Sequence, residues 1–260
     1  MSESGQFEGL SYEISGSGPP IVFIAGCGAD PICWALARRA LEADFRILTF
    51  DSRGLPGPVS SQTLADSTSH LLEHLSIPPA LVVGHSLGGM VAQHLSLNHP
   101  ERVRALVLVA SCARLGERAK HILDCLYRAL ALDPMLYLDL LMPWAFSAKF
   151  FRSAKNLHFI REGFVKPPLE SFGAQMRAVF DHDSRSVLKK ITVPTMVVAG
   201  EEDLICDAPA TVELSEGIRG SRVEIIPGGH ACYMEQAELF NGLVRRFSGT
   251  SAIRLGVRQT

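Results

Sequence analysis

Ser86 sits in Gly84-His85-Ser86-Leu87-Gly88-Gly89, between the apolar run Ala80-Leu81-Val82-Val83 and a helix-like stretch from Met90 to Asn98. Gly-x-Ser-x-Gly between a strand and a helix forces a reversal within about one residue and lifts the serine hydroxyl to the tip of a strained turn. Glycines on either side let strand and helix cross closely, and the helix N-terminus points at any oxyanion that develops there. A lone hydroxyl is a weak nucleophile, so Ser86 needs a base, and the base needs an acid to orient it. On a sheet scaffold these belong at the ends of later strands, in the order serine, acid, histidine. Gly200-Glu201-Glu202-Asp203 follows the apolar run Thr195–Ala199, and Pro227-Gly228-Gly229-His230 follows Val223–Ile226. His230, in a Gly-rich loop, is the expected base. Asp203 is the expected acid over Glu201, Glu202 and Asp207, because a short carboxylate two or three residues past a strand end is best placed to meet an imidazole.

An oxyanion needs two convergent N–H donors. Leu87 supplies one. The other is expected from Cys27 in Ala25-Gly26-Cys27-Gly28, where flanking glycines let the backbone approach closely. The Cys27 side chain has no assigned role, though a thiol there would make the site sensitive to alkylation. The other histidines are weaker candidates for the base. His85 should point away from the site. His70, His74, His94 and His99 read as lying on or beside solvent-facing helices, and His121, His158 and His182 fall in a later helical block. His70-Leu71-Leu72-Glu73-His74 has the spacing of a zinc site. However, Leu64, Leu71, Leu72 and Leu75 mark the buried stripe of that helix, and no third ligand suggests itself. No metal is expected.

These residues need a scaffold. Short β-branched runs at Gln6–Glu8, Ser11–Ile14, Ile21–Ala25, Arg46–Asp51, Ala80–Gly84 and Ala105–Ala110 alternate with helical patterns near Ile32–Ala43, Gln62–Leu75 and Gly88–Asn98. Such alternation of near-continuous apolar strands with helices predicts an α/β fold: a mostly parallel sheet covered on both faces. Ser15–Pro20 reads as the turn of an N-terminal hairpin. From Ala113 to Val187 no strand is predicted, only helical pieces at Gly116–Leu132, Pro134–Ser147, Phe150–Glu162 and Pro168–Phe180. Strands then resume, and a last helix covers Ala237–Phe247. The expected organisation is therefore a core of 1–112 and 189–260 with a helical cap or lid at 113–188. The cap is rich in large apolar side chains, of which Met142, Trp144, Phe146 and Phe172 are the expected pocket residues. The polar tail from Ser248 to Thr260 is expected to fray.

The chain has 260 residues, 47% hydrophobic and 20% charged, with a net charge of −2. Near-neutral charge gives no electrostatic case for nucleic acid or an anionic membrane. No apolar run approaches the ~18 residues of a membrane span, and the polar, acidic N-terminus lacks a signal-peptide pattern. Six scattered cysteines without a Cys-x-x-Cys pair suit a reducing cytoplasm. A small-molecule substrate is the expected partner, with the chain a monomer or homodimer.

The motifs together resemble the α/β-hydrolase fold family, in particular its lid-bearing esterases, lactonases and C–C hydrolases. Besides the serine turn, Asp51-Ser52-Arg53-Gly54, Asn98-His99-Pro100-Glu101-Arg102-Val103 and Ile191-Thr192-Val193-Pro194-Thr195 resemble family segments. The resemblance implies an eight-stranded sheet and a Ser86–His230–Asp203 triad working through an acyl-enzyme without a cofactor. Its substrate would be an ester or related acyl bond of a small, largely apolar molecule. It equally admits a lactonase, thioesterase or C–C hydrolase, a cyclase, lyase or cofactor-free peroxidase, or a ligand receptor. Two features depart from the family pattern: Ala25-Gly26 stands where His-Gly is usual, and Gly54–Ser60 is longer and richer in proline.

Overall fold

The central strands follow the apolar runs closely, whereas the first strand, at Glu3–Phe7, starts before the expected Gln6–Glu8, and the order of the strands explains why the candidate residues meet. The computed structural model describes residues 3–250. Its strands are β1 (Glu3–Phe7), β2 (Leu10–Ser15), β3 (Pro20–Ile24), β4 (Arg46–Asp51), β5 (Ala80–His85), β6 (Val103–Val109), β7 (Thr195–Gly200) and β8 (Arg222–Ile226). Its helices are α1 (Ala35–Leu41), α2 (Ser61–His74), α3 (Leu87–Asn98), α4 (Glu117–Leu132), α5 (Pro134–Ala145), α6 (Ala154–Glu162), α7 (Leu169–Asp181), α8 (Ala208–Gly217), α9 (Cys232–Glu235) and α10 (Ala237–Ser248). The expected tail lies, from residue 251 onward, outside the described residues.

The eight strands form one sheet in the order β1-β2-β4-β3-β5-β6-β7-β8. The β1–β2 and β2–β4 pairs are antiparallel and the rest are parallel. Parallel central strands are buried on both faces, which is why they read as unbroken apolar runs. Alternate side chains enter two separate cores. Val22, Leu48, Val82 and Leu106 pack with α2 and α3 on one face. Ile21, Ile47, Leu81 and Val107 pack with α1 and α10 on the other. Among the described residues, no helix is long and apolar enough to cross a membrane.

Between the adjacent strands β6 and β7 the chain leaves the sheet for α4, α5, α6 and α7. The two ends of this excursion are tied together. Ser184 N–H donates to Ala113 O at 2.9 Å, and Ser184 Oγ donates to Gln93 Oε1 on α3 at 2.6 Å.

Two sequence expectations are corrected. The N-terminal hairpin closes at Glu8-Gly9, where Phe7 pairs with Leu10 and both turn residues have positive φ (47° and 86°). That is the geometry a two-residue hairpin favours. Ser15–Pro20 instead carries the chain from β2 past β4 to β3. His94 does not face solvent. It is 7% exposed, because α3 is buried on all sides between the sheet, α2 and α7, and its ring meets that of His182 edge to face at 5.2 Å.

Candidate active site

The turn after β5 is built around one forced conformation. Ser86 has φ 54° and ψ −118°, a region that a residue with a side chain occupies only when its surroundings demand it. The demands are visible. Ser86 N–H donates to Val109 O at 2.9 Å, and Ser86 O accepts from Ser111 Oγ and from Gly89 N–H, each at 2.9 Å. A Cβ on Gly88 would strike the carbonyl of Ile24, so only glycine lets α3 cross β3 this closely. The strain is held by both neighbouring strands, and the Ser86 side chain is left facing a cavity.

Asp203 and His230 arrive from the next two strands. Asp203 is 5% exposed and follows β7; His230 is 7% exposed and follows β8. His230 Nδ1 lies 3.1 Å and 3.0 Å from Asp203 Oδ1 and Oδ2. Asp203 Oδ1 also accepts the N–H groups of Ile205 at 2.8 Å and Cys206 at 3.0 Å. A buried carboxylate with this many donors is paid for locally and held in one orientation. Two of the competing acids are engaged elsewhere: Glu202 Oε2 accepts from Ala148 N–H at 2.9 Å, and Asp207 caps α8 through Ala210 N–H at 3.3 Å.

Ser86 and His230 line one cavity of about 500 Å³ together with Cys27. Among the described residues no hydrogen bond joins Ser86 Oγ to His230, so the structure brings His230 and Asp203 into contact and leaves Ser86 on the same cavity. The N–H of Cys27 has no partner among the described residues, and that of Leu87 is the free first donor of α3.

His85 corrects a further expectation. Its ring lies in the cavity wall rather than away from it, with Nε2 donating to the backbone carbonyl of His230 at 3.1 Å. Burial, reinforced by the neighbouring His230, pushes its pKa down to about 3, so it stays neutral and braces the histidine loop. The Cys27 thiol lines the cavity too, but burial raises its pKa far above the ordinary thiol range. With so little thiolate, it is a poor target for alkylation.

Most of the lining is apolar. Met142, Phe146 and Phe172 are among the lining residues, with Leu123, Leu126 and Leu138, and Tyr137, Tyr233, Asp30 and Arg39 are polar members. Trp144 does not line it. On α5 the cavity side is the row Leu138, Leu141, Met142 and Ala145, and a residue two past Met142 points elsewhere. Trp144 is half-buried against the larger apolar core and is not among the cavity-lining residues.

Sequence reasoning missed two polar residues beside the site. Glu235, on α9, accepts the N–H of Gly229 at 2.8 Å and that of Ser147 at 3.0 Å, joining the histidine loop to the end of α5. Gln175, on α7, accepts the N–H of Gly28 at 2.7 Å. The signal for Gln175 was present as an amide on the apolar face marked by Phe172, Met176 and Val179. Arg53 lies beside this loop, its guanidinium clamped between Asp51 and Asp30, which explains the Asp-x-Arg-Gly segment as a brace between β4 and the loop after β3.

An eight-stranded, mostly parallel sheet, a serine turn after β5, and an Asp–His pair after β7 and β8 define one class of protein. The chain belongs to the alpha/beta hydrolase family, whose model matches residues 21–243. It is similar to a Caulobacter sp. (strain K31) protein provisionally named carbamate hydrolase RutD, with 28% identity over 271 residues, 96% of this chain and 100% of that one. Its fold is similar to the crystal structure of the enol-lactonase from Burkholderia xenovorans LB400, with a TM-score of 0.85, 28% identity and coverage of 93% and 96% of the two chains. A thermophilic esterase from Thermogutta terrifontis is similar at a TM-score of 0.82 and 26% identity, over 92% of each chain.

Proposed function

We propose that the protein is a serine hydrolase that cleaves an ester or related acyl bond of a small, largely apolar substrate. The observation that carries this reading is the buried Asp203–His230 pair, whose His230 lines the same cavity as the strained Ser86. His230 takes the Ser86 hydroxyl proton as Oγ attacks the carbonyl carbon. The developing oxyanion is held by the N–H groups of Cys27 and Leu87. Asp203 fixes the His230 tautomer with the proton on Nδ1 and stabilises the imidazolium. The tetrahedral intermediate collapses, His230 gives the proton to the departing oxygen, and an acyl-enzyme remains. Water then attacks the acyl carbon with His230 as base, releasing the acid and restoring Ser86. Contacts of this kind are often long in the free enzyme, and substrate entry brings Ser86 Oγ within reach of His230 Nε2.

Residues 113–188 act as a lid: α5 and α7 supply Met142, Phe146 and Phe172 to the cavity above Ser86. A lining that is mostly apolar, with Tyr137, Tyr233, Asp30 and Arg39 as its polar members besides Ser86 and the two histidines, suits a largely apolar acyl group. A lactone is the second reading, favoured by the enol-lactonase among the similar structures. Six free cysteines are consistent with a cytoplasmic setting. Ser86→Ala is expected to abolish hydrolysis of a short activated ester while the protein keeps its circular dichroism spectrum and melting temperature. Undiminished turnover by that variant rules the assignment out.

A further inference from the structure

Gln175 is a polar side chain on an apolar helix face. It lies one turn after Phe172 on α7 and is 2% exposed. A side-chain amide buried this deeply must find partners. Its oxygen accepts the N–H of Gly28 at 2.7 Å, and its nitrogen donates to Ser52 Oγ at 3.2 Å. The orientation is set by chemistry, since only the amide oxygen can face a backbone donor. Phe172 presses on the same glycine: a Cβ at Gly28, whose φ is +69°, would lie 2.6 Å from the ring. Two successive turns of α7 therefore hold Gly28, one by a hydrogen bond and one by an aromatic ring. On the opposite side His85 closes on Gly26, where a Cβ would lie 2.9 Å from Nδ1. Of the two adjacent amides in this clamped loop, that of Gly28 is consumed by Gln175 and that of Cys27 is free among the described residues.

We propose that Gln175 is a positioning residue that sets the direction of the Cys27 N–H toward the oxyanion. The plane that carries the Cys27 N–H also carries Gly26 O, which accepts from Ala29 N–H at 3.1 Å; with that turn closed, fixing the intervening rigid plane through the Gly28 N–H leaves the Cys27 N–H one direction to point. An inserted helix thereby sets the geometry of a loop on the sheet. The proposal rests on Ser86 being the nucleophile.

The bland alternative is that Gln175 only anchors α7, and its two bonds separate these roles. Gln175→Met keeps the side-chain volume and removes both bonds; Ser52→Ala removes only the one that does not reach the Gly28 loop. The measurements are kcat and KM for a short activated ester, the affinity of a trifluoromethyl ketone that forms a tetrahedral adduct, and backbone amide exchange over 26–29. Gln175→Met is expected to lower kcat about 10- to 100-fold with KM little changed, since a misdirected donor weakens only the transition state. The ketone is expected to weaken by the same factor, and exchange at Cys27 and Gly28 to speed up. Ser52→Ala is expected to stay close to the unsubstituted protein in all of these. Unchanged kcat, unchanged exchange over 26–29, or equal losses in both variants overturns the proposal. Ser86→Ala in the same assays keeps the two claims apart. Retained turnover there removes the nucleophile reading, whereas a silent Gln175→Met beside an inactive Ser86→Ala removes only the role of Gln175.

Discussion

The sheet and the inserted helices face the same cavity but control it by different means. On the sheet side, position is dictated by backbone. Ser86 is held by bonds to Val109 and Ser111 and by a crossing that only Gly88 permits. Asp203 and His230 follow the ends of strands that are locked in parallel register. On the inserted side, position is dictated by side chains. Met142, Phe146 and Phe172 fill space, while neighbours such as Leu132 and Phe159 remain exposed at 81% and 58%. A backbone-determined site tolerates little change without losing its chemistry. A side-chain-determined wall can be reshaped, away from the Gln175 contact with Gly28, while the chemistry survives, which is how one scaffold comes to serve many substrates.

Substitutions on the two sides are expected to fail differently. The largest effect falls on the sheet side. His230→Gln should lower kcat about 10⁵- to 10⁶-fold with KM nearly unchanged, because the loss is confined to proton transfer. Steady-state kinetics against the same ester checks it, and a loss mainly in KM would assign His230 to binding. On the inserted side, Phe172→Ala removes a 1% exposed ring that packs on Tyr137 at 5.5 Å and covers Gly28. It should destabilise the protein by about 3–5 kcal/mol in urea unfolding. The surviving folded protein should shift its preference toward bulkier acyl groups, whereas a uniform loss across a substrate panel would break the comparison.

The smallest effect concerns the seam between the two regions. Buried His182, bonded through Nδ1 to Ser61 Oγ at 2.9 Å, has its pKa lowered from 6.5 to about 3, first by burial and then by His94. Its folded value lies below its unfolded one, so the unfolded chain takes up a proton that the folded chain refuses. Stability should therefore fall as pH drops from about 6.5 toward 3 and be independent of this group above that window. His182→Asn keeps a partner for Ser61 and removes the titration. Urea midpoints at pH 7 and pH 4.5 should then differ less than in the unsubstituted protein, and an equal difference would show that His182 does not govern the seam.

The same division explains what could be read from sequence. The central strands were legible because burial on both faces makes each a short apolar run, and β4 coincides with its expected bounds at Arg46–Asp51. Ser86, Asp203 and His230 could be proposed together because each follows a β-branched or apolar strand segment. Helix α8 was missed: its short run from Ala208 to Gly217 has little amphipathic contrast, although Asp207 as cap and Pro209 near the start are usable signals. His94 was misplaced because polar residues on a helix suggest solvent, a rule that fails where the helix is enclosed on every side. Trp144 was misplaced because size alone does not say which face of α5 meets the cavity. Gln175 was passed over for a related reason: its partners, Gly28 and Ser52, are distant in sequence, and periodicity reveals only that the amide sits on a buried face.

The most direct test is to treat the protein with a fluorophosphonate and locate the adduct by intact mass and peptide mapping. A single adduct on the peptide carrying Ser86, absent in Ser86→Ala and strongly slowed in His230→Gln, is the predicted result. A modified residue other than Ser86, or full ester turnover by a protein that takes up no label, would contradict the account.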